Sequence, residues 1–197
     1  MRLYHVPGSR STRVLWTLEE IGQPYELTVL GRERLADSDP HRQRHPLGRV
    51  PVIELDDGRH LFESGAICLY LADLHPEAQL IPALATTERG LVYQWTVFAM
   101  SELEPKFFDW RFAERRGKDE GTARAAFEPV AVAIRDAVTR AEWIAGETFT
   151  VADVMCASIL AKIADYDLGP DFAPLRAYVE RALARPAKLR AEAVVDQ

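Results

Sequence analysis

The sequence predicts an α/β domain over residues 1–76 followed by an all-helical one. Three observations carry this. The first 30 residues run as strand, helix and strand signals. An Asp-Gly step at residues 57–58 sits between two short apolar runs. Beyond residue 82 strand signals vanish and helix formers dominate.

A chain of 197 residues, 48% hydrophobic and 27% charged, can bury a proper core. Its net charge of −6 and lack of a long basic block argue against nucleic acid or an acidic membrane surface as the main partner. The start, MRLYHVPGSRS, lacks the apolar run of a secretory signal, and no stretch approaches the roughly 18 apolar residues of a membrane span. Cys68 and Cys156 form neither a CxxC nor a metal spacing, so both read as packing residues. A reducing, cytoplasmic home is expected.

Arg2 to Val6 is a strand, broken by Pro7-Gly8, and Ser9 to Thr12 is a polar loop suited to opening a helix. Val14, Leu15, Leu18 and Ile21 keep the helical period, with Glu19 and Glu20 toward solvent. Gly22 and Pro24 end that helix. Tyr25 to Leu30 is the second strand, and a right-handed crossover makes it parallel to the first. Gly31 to Arg44 is polar and arginine-rich, a loop with at most a short irregular helix.

Val50 to Leu55 and His60 to Phe62 flank Asp56-Asp57-Gly58-Arg59, a hairpin with an expected type I′ turn and positive φ at both central residues. Pro51, at a strand start beside a bend, is a candidate cis bond. Ile67, Tyr70, Leu71 and Leu74 mark a third helix. The order through residue 76 is therefore β-α-β-(α)-β-β-α. A proline-punctuated linker over 77–84 leads to a helical domain over 85–197.

In that domain Thr87 to Arg116 reads as one long or bent helix, and Thr122 to Trp143 as another, with Pro129 a kink or a first-turn residue. Thr150 and Asp153 make a capping box, and Phe149 with Val154 a hydrophobic staple, pinning a buried helix to about Tyr166. Pro174 and Pro186 break the last two helical segments.

One stretch, His45 to Ile67, offers a binding surface. A cis-proline before the third strand would leave the N–H and C=O of Val50 free to pair with an extended peptide. Ser64 opens a helix, so its hydroxyl and the first free amides favour a carboxylate, while Glu63 suits an ammonium. Together they answer an amino-acid head group. The plainer alternative makes Ser64 an ordinary N-cap and Glu63 a first-turn acid.

The segments PGSRSTRVLWTLEEIGQPYE, HPLGRVPVIE, ESGAICLYLAD and FTVADV, in that order, resemble the glutathione transferases over essentially the whole chain. The resemblance implies a thioredoxin-like N-terminal domain and an all-helical C-terminal one. It implies that Pro51 is cis, that Val50 pairs with the cysteinyl backbone of glutathione, and that Glu63 and Ser64 hold its γ-glutamyl end. Arginines after Gly31, or His45 and Arg49, would meet the glycyl carboxylate.

Such enzymes stabilise the glutathione thiolate, which is the nucleophile. A free thiol titrates near about 8.5, and each unit of lowering asks for about 1.4 kcal/mol. One or two hydrogen bonds at a helix N-terminus are of that size. The serine-type classes place a serine four residues before an arginine. Ser9 ahead of Arg13 fits, with Arg13 supporting; Ser11 is the runner-up, or a plain N-cap.

The beta class is similar here but carries cysteine where this chain has Arg10, which excludes a mixed disulfide at that position. Arg10 either adds positive potential near the thiolate or reaches into solvent. The beta-like SELxxxF at Ser101 to Phe107 is present, yet Val97 and Glu104 stand where that class has polar ligand contacts. The chain resembles more a serine-type bacterial or fungal transferase with the SRSxRVLW loop.

By the same resemblance the second substrate would be an apolar electrophile between the loop at Pro7 to Thr12 and the first long helix of the second domain. Trp95, Phe98, Met100, Phe107, Phe108 and Trp110 would supply apolar surface, with about four of the six serving as core or dimer contacts. The implied protein is a cytosolic homodimeric detoxification enzyme using glutathione as co-substrate, with no metal, nucleic acid or membrane partner. Its rivals are a glutathione-dependent isomerase, dehalogenase or peroxidase on the same site, and a non-catalytic binding or regulatory protein.

Overall fold

Strand β1 (Arg2–His5) is the spine of the first structural unit. It pairs in parallel with β2 (Glu26–Val29) and antiparallel with β3 (Val52–Glu54), and β3 pairs antiparallel with β4 (His60–Phe62). The sheet order is β2-β1-β3-β4. This is the mixed sheet that the thioredoxin-like expectation requires. The structure, a computed structural model, describes residues 1–31 and 40–194.

Between β1 and β2 runs α1 (Ser11–Ile21), ended by Gly22 in the left-handed region (φ 74°), whose amide donates to the carbonyl of Leu18. Val14, Leu15, Trp16 and Leu18 are buried along it. Part of the loop expected after Gly31 lies outside the described residues, Arg32 and Arg34 included; a short 3-10 turn, Pro40–Gln43, follows.

The β3–β4 turn differs from expectation. Only Gly58 has positive φ (81°), and Leu55 N–H donates to Arg59 C=O at 2.8 Å while Gly58 N–H donates to Leu55 C=O at 2.9 Å. Three residues separate the pair, so a turn followed by one left-handed glycine replaces the two-residue type I′ loop. Asp57 is thereby spared a positive φ, and its carboxylate accepts from the Arg59 amide at 3.0 Å.

Helix α2 (Ser64–Leu74) follows, burying Ile67, Cys68 and Leu71. The chain divides into Met1–Gln79 with Pro186–Gln197, and Leu80–Arg185. The last helix, α8 (Pro186–Ala193), therefore groups with the first unit instead of ending the helical one. Its small buried residues Ala187 and Ala191 permit a close approach to α1. Arg190 donates from Nε to Glu19 at 2.9 Å, and the Lys188 ammonium lies 5.9 Å from the Trp16 ring centre. Glu19 is consequently not a free solvent-facing acid; it also accepts from the Tyr25 hydroxyl at 2.6 Å.

The second unit is helical throughout. The bent helix resolves into α3 (Thr87–Phe98), a π-helical turn at Ala99–Leu103, and α4 (Glu104–Arg111). Pro105 has no amide to continue the ladder, and the wider turn lies just before it. Helix α5 (Glu120–Arg140) starts earlier than expected because Asp119 caps it, accepting from Thr122 N–H at 2.8 Å, and it runs through Pro129. It stops short of Trp143, which forms a bridge with Gly146.

The capping box at Thr150 and Asp153 is present and opens α6 (Val151–Leu160), with Phe149 and Val154 buried beside it. That helix ends before Tyr166, and a 3-10 turn covers Ile163–Asp165. Helix α7 (Ala173–Leu183) completes the unit. Among the described residues no helix is long and apolar enough to cross a membrane.

Candidate active site

Three separated segments meet at one end of the sheet, and the strand register explains why. Tyr4 faces Val52 and Val52 faces Phe62. Because β1 and β3 are antiparallel, the exit of β1 lies beside the entrance of β3, and the exit of β4 lies there too. The loop Pro7–Arg10, the step Val50-Pro51 and the start of α2 thus share an edge.

The Val50-Pro51 bond is cis. The ladder begins at Val52, so Val50 stands beyond it, half-buried against the cluster of Tyr4, Val6, Leu30 and Val52. Glu63 is exposed, with φ 72° and ψ 111°. A positive φ is uncommon outside glycine and tends to persist at functional sites. The residue roles at this helix start correct the plainer alternative. Glu63 occupies the N-cap position without capping through its side chain, and Ser64 is the first helical residue, 1% exposed. The Ser64 hydroxyl accepts from Arg13 Nη1 at 3.3 Å, and Arg13 is itself buried in the first turn of α1.

Ser9 is half-buried and Ser11 fully buried. Their hydroxyl oxygens are 2.7 Å apart, and the Ser11 amide donates to Ser9 Oγ at 3.2 Å. Ser11 Oγ also lies 2.8 Å from His5 Nδ1 and accepts from Val6 N–H at 3.1 Å. Ser11 is therefore not the N-cap; that position belongs to Arg10, with no side-chain cap bond. His5, wholly buried, was not among the expected site residues; its alternation with Tyr4 on a strand gave no sign of a polar contact six residues on. Burial pushes its imidazole below the usual histidine range, against a smaller opposite effect from Ser11.

His45 is buried, its ring centre 4.7 Å from that of Phe62, and its Nδ1 accepts from Leu47 N–H at 3.0 Å. Burial lowers its pKa, while the charge of Glu63 works the other way. A buried imidazole held toward the neutral form is a poor partner for a carboxylate. Arg49 and Arg10 are exposed, and the Arg49 carbonyl accepts from His41 Nε2 at 2.9 Å.

In the second unit Trp95 and Phe98 are half-buried and meet edge to face at 5.2 Å. Phe108 and Met100 are also half-buried. Phe107 is fully buried, 5.3 Å from Phe127, and Trp110 is buried against the same ring. Phe107, expected among the electrophile contacts, is thus a core residue with no surface to offer. Val97 is 62% exposed, and Glu104 is buried. Both cysteines are buried, and burial pushes the Cys68 thiol up to about 11.

Comparison with known proteins gives this edge its context. Residues 3–79 match the glutathione S-transferase N-terminal domain. The chain is 32% identical to glutathione S-transferase GstA of Escherichia coli O157:H7 over 162 residues, covering 81% of each chain. The chain belongs to the glutathione S-transferase family.

Solved structures of glutathione S-transferases share its fold. The ternary complex of BphK, a bacterial member, superposes with a TM-score of 0.87 at 29% identity, covering 100% of both chains. A sphingomonad glutathione S-transferase complexed with glutathione gives 0.86 at 28% identity, covering 98% of both.

Proposed function

We propose that this glutathione S-transferase family member binds glutathione at the edge formed by Val50, Pro51, Glu63 and Ser64, and that Ser9 stabilises the thiolate for addition to an apolar electrophile. The observation that carries the reading is the position of Ser9. It is the half-buried hydroxyl of its loop, at the same end of the sheet as Val50-Pro51 and the start of α2, whereas Ser11 is fully buried.

Each group has a task suited to its chemistry. The backbone of Val50, beyond the last ladder pair, suits the extended cysteinyl residue. The Ser64 hydroxyl and the first amides of α2 suit the γ-glutamyl carboxylate, and the exposed Glu63 carboxylate suits its ammonium. Arg13 keeps Ser64 in place. Arg49, next to Val50, and Arg10, in the loop at the same end of the sheet, are both exposed and suit the glycyl carboxylate, with His45 demoted by its burial.

Thiol activation then needs about 1.4 kcal/mol per unit of pKa lowering, the size of one good hydrogen bond to an anion. Ser9 donates that bond. Of the aromatic and methionine side chains expected to meet an electrophile, Trp95, Phe98, Met100 and Phe108 are half-buried and keep some surface. A homodimer in a reducing cytoplasm completes the reading.

Calorimetric titration with glutathione, followed by conjugation assays over halides, epoxides, enones and peroxides, tests it. Binding is expected with the wild-type chain, and Ser9→Ala should lower conjugation far more than affinity. Absence of binding at millimolar glutathione would leave only a scaffold role.

A further inference from the structure

We propose that His5 is a positioning residue: acting through Ser11, it turns the Ser9 hydroxyl proton outward, toward the sulfur. This rests on the reading of Ser9 given above and adds a direction to it.

Protons and lone pairs around Ser11 set the polarity of this chain. A hydroxyl has one proton to give and two lone pairs. Val6 N–H can only donate, at 3.1 Å, and takes one lone pair of Ser11 Oγ. His5 Nδ1 at 2.8 Å and Ser9 Oγ at 2.7 Å are the two short remaining neighbours; the Val6 carbonyl is farther, at 3.3 Å. One of these two must donate to Ser11 and the other must receive its proton.

The far side of the imidazole decides which. His5 Nε2 is buried and has no hydrogen-bond partner among the described residues. A neutral ring with its proton there would leave a buried donor unmatched. A ring with its proton on Nδ1 leaves only an unmatched lone pair, and orphaned acceptors are tolerated more often than orphaned N–H groups. So Nδ1–H donates to Ser11, and Ser11 donates to Ser9.

Ser9 Oγ then accepts twice, from the Ser11 hydroxyl and from the Ser11 amide at 3.2 Å. Both lone pairs are occupied, and its own proton has nowhere to go but outward. In the opposite polarity the Ser9 proton would point inward and a lone pair would face the thiolate. No covalent bond changes in this device; the thiol proton leaves to solvent, and His5 stays neutral, as its burial favours.

The test is the ionisation of bound glutathione, followed by the ultraviolet absorbance of its thiolate against pH at saturating glutathione. His5→Phe keeps the volume and removes the donor. It should reduce the thiolate fraction at a fixed pH below the midpoint by roughly three- to tenfold, with affinity for the protonated thiol within about twofold of wild type. His5→Asn places an amide donor near the position of Nδ1 and should restore most of the loss.

Ser11→Ala cuts the same chain with a small change of volume, and should shift the midpoint in the same direction even if His5→Phe folds poorly. A wild-type midpoint in both His5→Phe and Ser11→Ala overturns the inference, as does His5→Asn behaving like His5→Phe. If Ser9→Ala shifts the midpoint while those variants do not, His5 alone loses its role. If Ser9→Ala does not shift it either, the underlying reading of Ser9 falls with it.

Discussion

Arg13 donates from Nη1 to the Ser64 hydroxyl at 3.3 Å, with both side chains buried, and so ties the first turn of α1 to the first turn of α2. Helix starts that are 51 residues apart in sequence are held in one register by this bond. Arg13→Met keeps much of the stem and removes the charged donor, leaving Ser64 buried without it. Loss of a hydrogen bond from a charged group predicts a drop of about 1.5–3 kcal/mol in unfolding free energy. Urea denaturation checks this, and glutathione affinity should fall in parallel. Unchanged stability and affinity would remove Arg13 from the site.

Glu63 separates stability from binding. Its φ of 72° is a strained conformation for a residue with a Cβ, and its side chain is exposed. Glu63→Gly should relieve strain and stabilise the fold by about 1 kcal/mol, whereas Glu63→Ala keeps the strain and changes stability little. Both should weaken glutathione binding. Thermal unfolding and calorimetry on the pair would show it; a Glu63→Gly protein no more stable than Glu63→Ala would contradict the strain argument.

His5 gives a pH signature. Burial holds its pKa below the unfolded value near 6.5, so the native state binds fewer protons than the unfolded chain just below that pH. Its contribution is complete above the unfolded value and is lost as pH falls toward the folded one. Stability of the wild-type chain should therefore fall as the pH drops below about 6.5 more steeply than that of His5→Phe, by up to about 1.4 kcal/mol per pH unit. Parallel curves for the two proteins would contradict this.

In the second unit Asp153 joins three elements. Its carboxylate accepts from the Ile144 and Thr150 amides at 2.8 Å and from the Tyr178 hydroxyl at 3.1 Å. Asp153→Ala leaves buried donors from all three unmatched, and a loss of about 3–5 kcal/mol is expected. Chemical denaturation measures it. A loss below about 1 kcal/mol would show that the node is dispensable.

The sequence made the local parts of this protein legible. Strands and helices carried by strict apolar periodicity, such as β1 and α1, fall where their pattern puts them, and the capping box at Thr150 and Asp153 is a four-residue signal with a direct physical cause. Features that depend on distant neighbours were not legible. The return of α8 to α1 depends on Glu19 meeting Arg190 across 171 residues, and the turn at Asp57-Gly58 depends on how β3 and β4 pair. At the site, residue types pointed to Val50, Glu63 and Ser64, and the family resemblance pointed to Ser9. The strained backbone of Glu63, the burial of His45 and Phe107, and the contact of His5 with Ser11 are tertiary facts with no local trace.

Ser9 is proposed above to stabilise the thiolate of bound glutathione. The most direct measurement is the pH titration of that thiolate in the wild-type complex and in Ser9→Ala, each saturated with glutathione. A wild-type midpoint clearly below the free thiol value of about 8.5 is expected, with the midpoint raised by about one unit in Ser9→Ala. Coincident titrations in the two proteins would contradict it.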